Sequence, residues 1–514
     1  MKRYCNSLTR YARRNSCAVR MGGVTIGAGT PVAVQTMTNT DTNDTAACVE
    51  QIRRVTGAGG RIIRLTTQGV KEGRNLGEIV PAVKEFCPDV AIVADVHFVP
   101  AVASVAAEYA DKVRTNPGNY NDKGGDFTAL LEQCRERGVA LRVGVNHGSL
   151  SKRIMDEWGD TPQGMTASAM EFLRVCKEHD FDQVVVSMKS SNVRVMVYAY
   201  RMLAAAMAAE QMNYPIHLGV TEAGNADEGR IKSAVGIGAL LADGIGDTLR
   251  VSLTEAPENE IPVGRILADY FEGRESEGCD EPDVEGFSAY EYSRRESDTV
   301  GRLGGQNVPM LWSEMTDEER DGAVIIEATG KNPVGEWRRQ VLEMMAQGDR
   351  RPVVLRRHYS DVGVEELSLK AAADFGVMFI DGLADGLDIV CESVAQENID
   401  SLALNILQAS RVRISKTEYI ACPGCGRTMY DLQGALEIIK SRTTHLKGLK
   451  IGVMGCIVNG LGEMADADYG YIGAGRGNIS LYRGKELVKK NIPQEQAVDE
   501  LIELIKADGL WKDE

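Results

Sequence analysis

The sequence predicts an α/β protein led by a TIM-type (β/α)8 barrel, and three observations carry that prediction. Eight short β-branched runs recur between residues 32 and 253. The gaps between them are long enough for crossover helices. A stretch of different pattern, bearing three spaced cysteines, closes the chain. The runs are 32–36, 62–66, 92–97, 112–116, 141–146, 184–189, 216–221 and 248–253. Most are nearly continuous apolar strings, as parallel strands buried on both faces require, and eight such units in series predict a closed barrel. A doubly wound open sheet is the alternative. Its first strand usually runs into a Gly-rich turn, and Gln35-Thr36-Met37-Thr38-Asn39 is not one.

Ahead of the barrel, residues 19–26 read as a hairpin. Behind it, 272–298 is acidic, rich in Gly and Ser and without periodicity, and reads as a linker or surface loop. Alternation of strand and helix then returns, with strands expected at 323–327, 353–356, 377–381 and 389–392 and helices at 331–345 and 394–409. From about 417 the pattern is α+β, with strands at 418–421, 450–454 and 479–482 and helices at 430–440 and 494–506. The expected division is therefore a barrel over 1–262, an inserted α/β domain over 263–415 and a C-terminal α+β domain over 416–514.

A chain of 514 residues is too long for one core. With 43% hydrophobic and 26% charged residues and no apolar run near the ~18 residues of a membrane span, it reads as a soluble globular protein. A formal charge of -16 disfavours nucleic acid and anionic lipid as partners, so any anion site must be local. The first twenty residues hold six basic side chains and no acid, a transit-like bias, but the folded pattern begins almost at once and a cytoplasmic location is expected. Eleven irregularly spread cysteines do not make a disulfide framework.

Cys422-Pro423-Gly424-Cys425-Gly426-Arg427 and Gly455-Cys456, followed by Glu463, form the most specific signal. Two cysteines separated by two residues can hold one metal centre from a single turn, and Cys456 supplies a third thiolate. A thioredoxin-like pair has no use for Cys456; a zinc ribbon brings a second close pair, absent here; and the third alternative is cysteines that are merely packed. An iron-sulfur cluster is favoured. Three thiolates leave one iron for a weaker ligand, for which Glu463 is the candidate: a carboxylate oxygen is harder and more exchangeable than a thiolate. The other eight cysteines show no ligand spacing.

Arg64, Arg114, Arg142, Lys189 and Arg250 fall in or just after the barrel runs, near the ends where such barrels place their sites. Five cations in one mouth repel unless an anion sits among them, and guanidinium forks match phosphate oxygens. Between them stand Asp95, His97, Asn116, Asn146, Thr221, Glu222 and Ser252. Asp95 and Glu222 are costly to bury without a partner or a role, and Glu222 is placed to donate a proton or orient a hydroxyl. A lone His97 is more often structural.

The two cysteine segments, together with Val34-Gln35-Thr36-Met37-Thr38-Asn39-Thr40, Ala94-Asp95-Val96-His97-Phe98 and Arg114-Thr115-Asn116-Pro117-Gly118-Asn119, closely resemble the 4-hydroxy-3-methylbut-2-enyl diphosphate synthase family in its long form, with an inserted domain. Leu461 departs from the proline common there, with ligand spacing kept. The resemblance implies one 4Fe-4S cluster on Cys422, Cys425 and Cys456, with Glu463 as exchangeable fourth ligand. It implies 2-C-methyl-D-erythritol 2,4-cyclodiphosphate as substrate, opened and reductively dehydroxylated with electrons from reduced flavodoxin or ferredoxin. Arg64, Arg114, Arg142, Lys189, Arg250 and Ser252 would hold the diphosphate, supported by Asn116 and Asn146. Glu222 would stand beside the reacting carbons, with a water held by His97 as the other proton source. Short members are thought to pair head to tail; the insertion would act as a spacer that lets the cluster close over its own barrel, with homodimerisation left open.

Overall fold

The computed structural model describes residues 4–96, 99–120, 125–274, 284, 286–360, 362–428 and 430–513. An antiparallel hairpin, β1 (Val19–Met21) and β2 (Val24–Ile26), precedes eight parallel strands. These are β3 (Ala33–Met37), β4 (Ile62–Thr67), β5 (Ala91–Val96), β6 (Lys112–Thr115), β7 (Ala140–Asn146), β8 (Val184–Lys189), β9 (His217–Leu218) and β10 (Thr248–Leu249). They follow the order β8-β7-β6-β5-β4-β3-β10-β9, and a parallel bridge from Val186 to Ile216 joins the ends. The barrel is thus the predicted one. β4 to β7 are buried at every position, which is why they read as apolar strings. Val19, Met21 and Ile26 of the hairpin pack on Ile62, Val93, Ala140 and Val185, stopping one end of the barrel and leaving the other for chemistry.

The inserted segment carries four parallel strands, β11 (Met310–Leu311), β12 (Val324–Glu327), β13 (Val353–His358) and β14 (Gly386–Val390), in the order β11-β14-β13-β12. The strand expected at 377–381 is instead the end of a helix, Val364–Ile380. This helix is apolar nearly all round because it is buried on nearly all sides, and such a run looks like an inner strand from pattern alone.

The insertion repeats the barrel in part. Without a gap, Arg201, Pro215 and Leu218 align with Arg338, Pro352 and Leu355; further on, Gly238, Asp243-Gly244, Asp247 and Leu249 align with Gly376, Asp381-Gly382, Asp385 and Leu387. The N-terminal Arg13-Arg14-Asn15-Ser16 has its counterpart in Arg294-Arg295-Glu296-Ser297. Equivalent bonds accompany the match. Asp247 accepts from Ser16 Oγ (2.5 Å) and the Ile216 amide (2.8 Å), as Asp385 accepts from Ser297 Oγ (2.9 Å) and the Val353 amide (2.9 Å).

The two halves meet through helices Ala226–Ala242 and Val364–Ile380. A Cβ on Gly238 would come within 2.6 Å of Ala373, and one on Gly376 within 2.9 Å of Val235, which is the counterpart of Ala373. The contact is the same one made twice about an approximate two-fold axis. Beside it Arg201 donates to Asp243 (2.8 Å) and Asp381 (2.6 Å), while Arg338 donates to Asp381 (2.8 Å) and Asp243 (2.7 Å), with all four side chains buried. Burial alone would push the Asp381 carboxyl up, but Arg201 and Arg338 hold it below the usual carboxylate range.

The C-terminal sheet contains β15 (Glu418–Ala421), β16 (Lys450–Met454), β17 (Tyr469–Gly475), β18 (Asn478–Arg483) and β19 (Glu486–Pro493), in that order, with β15 to β17 parallel and the last two pairings antiparallel. Helices Leu432–Thr443 and Gln494–Ala507 pack on it around Leu436, Ile451, Tyr471 and Leu501. Among the described residues, no helix is long and apolar enough to cross a membrane.

Candidate active site between the barrel mouth and the cysteine domain

The C-terminal domain sits on the barrel of its own chain. Ala421 at the end of β15 forms a parallel bridge with Ala223, and Thr254 Oγ1 donates to the Cys422 carbonyl at 2.9 Å. Lys232 pairs with Glu418 (3.2 Å) and Lys440 with Glu228 (2.6 Å), while Arg411 of the inserted segment pairs with Asp466 (3.2 Å). Between the domains lies an open cavity lined from both sides.

One wall is cysteine. Cys422 follows β15 and Cys456 follows β16, so two neighbouring parallel strands deliver them side by side, and the turn after Cys422 returns Cys425 to the same wall. The Gly424 amide faces Cys422 Sγ at 3.4 Å, and Arg427 Nε donates to Cys425 Sγ at 3.3 Å. Burial first, then Glu222 and Cys425, push the Cys422 thiol up. Cys456 caps a short helix, Ile457–Glu463, whose last residue brings a carboxylate back to the cavity.

The opposite wall is the barrel mouth. Arg64, Asn146, Lys189, Glu222, Arg250 and Ser252 line the cavity with the three cysteines and Glu463. Asn146 Nδ2 donates to Glu463 Oε1 at 3.1 Å, and Ser191 Oγ to the Glu463 carbonyl at 2.8 Å. Glu222 stands at φ 53°, in the left-handed region that costs a non-glycine residue about 1 kcal/mol, and its Oε1 accepts from Thr221 Oγ1 at 3.0 Å. Burial first and Glu222 second, through its charge and a shared hydrogen bond, push the Glu463 carboxyl well above the usual range.

Three expected binding residues lie off this lining. Arg114 donates to Asn146 Oδ1 (2.8 Å) and the Gly144 carbonyl (3.1 Å), so it braces a lining residue. Arg142 is fully buried, 3.6 Å from Asp95 Oδ1, and its guanidinium nitrogens have no hydrogen-bond partner among the described residues. Asn116 accepts from the Gly118 amide at 3.1 Å and caps the turn Pro117–Asn119. His97 lies outside the described residues.

Counter-charges are also present. Asp95 Oδ2 accepts from Arg64 at 3.0 Å, and Asp95 Oδ1 lies 3.7 Å from Arg114. Glu260 holds Arg250 with two bonds of 2.9 Å. Asp95 was legible as a buried acid needing a partner, whereas Glu260 comes from a helix beyond the strand-end pattern and Arg427 stood unused inside the cysteine motif. Cations still exceed anions: burial, then Arg64, Arg142 and Arg114, push the Lys189 ammonium well below its ordinary pKa, and burial with Arg142 and Arg64 does the same to Lys112 deeper in the barrel. Such a mouth favours a multiply charged anion.

The chain matches the family models described as GcpE TIM-barrel domain over residues 16–265 and GcpE protein C-terminal domain over residues 418–507. It is 44% identical to a protein of Phocaeicola vulgatus, over 98% of this chain and 99% of that one, and 44% identical with the same coverage to one of Bacteroides thetaiotaomicron. A relative from Leptospira interrogans is 36% identical over 99% of each chain. All three carry the name 4-hydroxy-3-methylbut-2-en-1-yl diphosphate synthase (flavodoxin).

Proposed function

The chain belongs to the GcpE family and has the activity of a flavodoxin-dependent 4-hydroxy-3-methylbut-2-en-1-yl diphosphate synthase, and we propose that the cavity between barrel and cysteine domain is where it acts. The reaction opens 2-C-methyl-D-erythritol 2,4-cyclodiphosphate and removes a hydroxyl as water, consuming two electrons and a proton. The observation that carries the placement is the meeting of three cysteines, two glutamates and a cationic mouth on one cavity.

In this reading one 4Fe-4S cluster is held by Cys422, Cys425 and Cys456, with Glu463 as a fourth, exchangeable ligand. The residues suit it. Three cysteines and a carboxylate line one cavity, and the Gly424 amide and the Arg427 Nε–H turn toward the sulfurs as donors to a negatively charged group. Bound there, the group accepts electrons one at a time from flavodoxin and delivers them to the substrate.

The chain's own residues do the rest. Arg64, Lys189 and Ser252 bind the diphosphate, and Arg250, tied down by Glu260, presents a fixed positive edge. Arg114 and Arg142 act from behind, the first by fixing Asn146 and the second by its charge. Asn146 orients Glu463. Glu222, which lines the same cavity as Glu463, is the residue we assign to orienting or protonating the departing hydroxyl. The domain seated on the mouth excludes water. The division of labour is a substrate barrel over 1–262, a spacer over 263–415 and a cluster domain over 416–514.

Electron paramagnetic resonance of anaerobic, dithionite-reduced protein tests this. A cluster signal that changes shape on adding the cyclic diphosphate is expected. A signal indifferent to substrate indicates an electron-transfer module, and stoichiometric zinc without a signal indicates a structural metal beside a plain anion-binding barrel.

A further inference from the structure

Arg427 is buried at 7% exposure and lines the cavity, and the partner of its Nε is a sulfur, Cys425 Sγ at 3.3 Å. Its Nη1 has no hydrogen-bond partner among the described residues. Buried guanidinium groups are ordinarily met by carboxylates. A neutral thiol is a poor substitute, but a metal-bound thiolate is an anion, and a cation beside it then has a purpose.

We propose that Arg427 sets the reduction potential of the metal centre held by Cys422, Cys425 and Cys456, favouring its one-electron reduced state. The inference rests on the cluster reading given above. When the centre takes one electron, from flavodoxin hydroquinone or from dithionite, the donor is oxidised by one electron and the centre and its thiolates gain one negative charge. A fixed cation against a ligating sulfur, in a buried site that salt screens poorly, stabilises the more negative state. Arg427 belongs to the chain segment of the cysteine pair and moves with it, so the effect does not depend on the barrel's position.

The test is an anaerobic redox titration of the full chain, wild type and the variants Arg427→Gln and Arg427→Lys, followed by electron paramagnetic resonance with iron and sulfide measured on each sample. At the wild-type midpoint, Arg427→Gln should lower the ratio of reduced to oxidised centre roughly ten-fold, about 59 mV for a one-electron couple. Arg427→Lys, which keeps the charge but loses the Nε–H bond, should fall between the two. An unmoved midpoint in either iron-replete variant overturns the proposal; if the glutamine variant loses its iron, the lysine variant decides on the same criterion. Loss of iron from both variants overturns it as well and makes Arg427 a retention residue. Wild-type protein without iron sinks the cluster reading itself.

Discussion

Gly148 of the barrel and Gly462 of the cysteine domain touch backbone to backbone. A Cβ on Gly148 would stand 2.4 Å from the Gly462 Cα, and one on Gly462 would stand 2.8 Å from the Gly148 carbonyl oxygen. Neither neighbour is a side chain that can swing away, so any substitution must part the domains at the residue before Glu463. Gly462→Ala is expected to lower turnover at least about ten-fold, the loss of some 1.4 kcal/mol of transition-state stabilisation. Iron content should stay unchanged and the urea midpoint nearly so. Turnover at the wild-type level would mean that this approach is not needed for the reaction.

Removing the Glu463 carboxylate tests the exchangeable ligand. Glu463→Ala should abolish turnover while most of the iron stays on the three cysteines, checked by iron analysis beside an activity assay. Intact turnover would remove Glu463 from the chemistry.

The barrel wall yields a graded prediction. Lys189→Met and Arg64→Ala should each weaken binding of the cyclic diphosphate by about 1.5 to 3 kcal/mol, the scale of one hydrogen bond to a charged group. Replacing Asn116, which caps its own turn, should change affinity little. Calorimetry also reads a proton. Burial and three neighbouring arginines lower the Lys189 pKa in the free protein, and a bound dianion raises it again. Binding should therefore take up protons, and affinity should fall as pH rises through the free-state pKa toward that of the complex. Heats that do not vary with the buffer's ionisation enthalpy would show that Lys189 is already charged.

The bridge between barrel and insertion should dominate stability. Asp381→Ala leaves Arg201 and Arg338 sharing Asp243 as their one remaining carboxylate in a buried site and is expected to cost about 3 to 5 kcal/mol in chemical denaturation. Because the folded Asp381 pKa lies below the unfolded value of about 3.9, its contribution is fully present above that value and fades as pH falls through the folded pKa. The substituted protein should lack this acid-labile part.

What was legible in the sequence follows from burial. The barrel runs stood out because both faces of each strand are covered, although β9 and β10 shrink to two residues each, their flanks being drawn into the mouth. The same covering hid the helix Val364–Ile380. β17 carries glycines at 470, 473 and 475, and β19 is exposed at most positions, so neither bore the signature of a strand. In the site, the cysteines and strand-end cations announced themselves by spacing, but spacing cannot tell a lining residue from one that braces it, which is where Arg114, Arg142 and Asn116 parted from the rest. The repeat left a faint mark, an Asp-Gly pair after each of two helices and a shared Arg-Arg-x-Ser, too sparse to stand out before the bonds were known.

That repeat has one more implication. At the positions matching Thr221, Glu222, Arg250 and Ser252 the second copy has His358, Tyr359, Asp388 and Val390, so these mouth residues are not repeated there while the helix packing face is. The barrel thus carries a partial copy of itself as a permanent companion. A companion fastened by the chain itself cannot be diluted away, and catalysis per molecule should be the same at nanomolar as at micromolar protein.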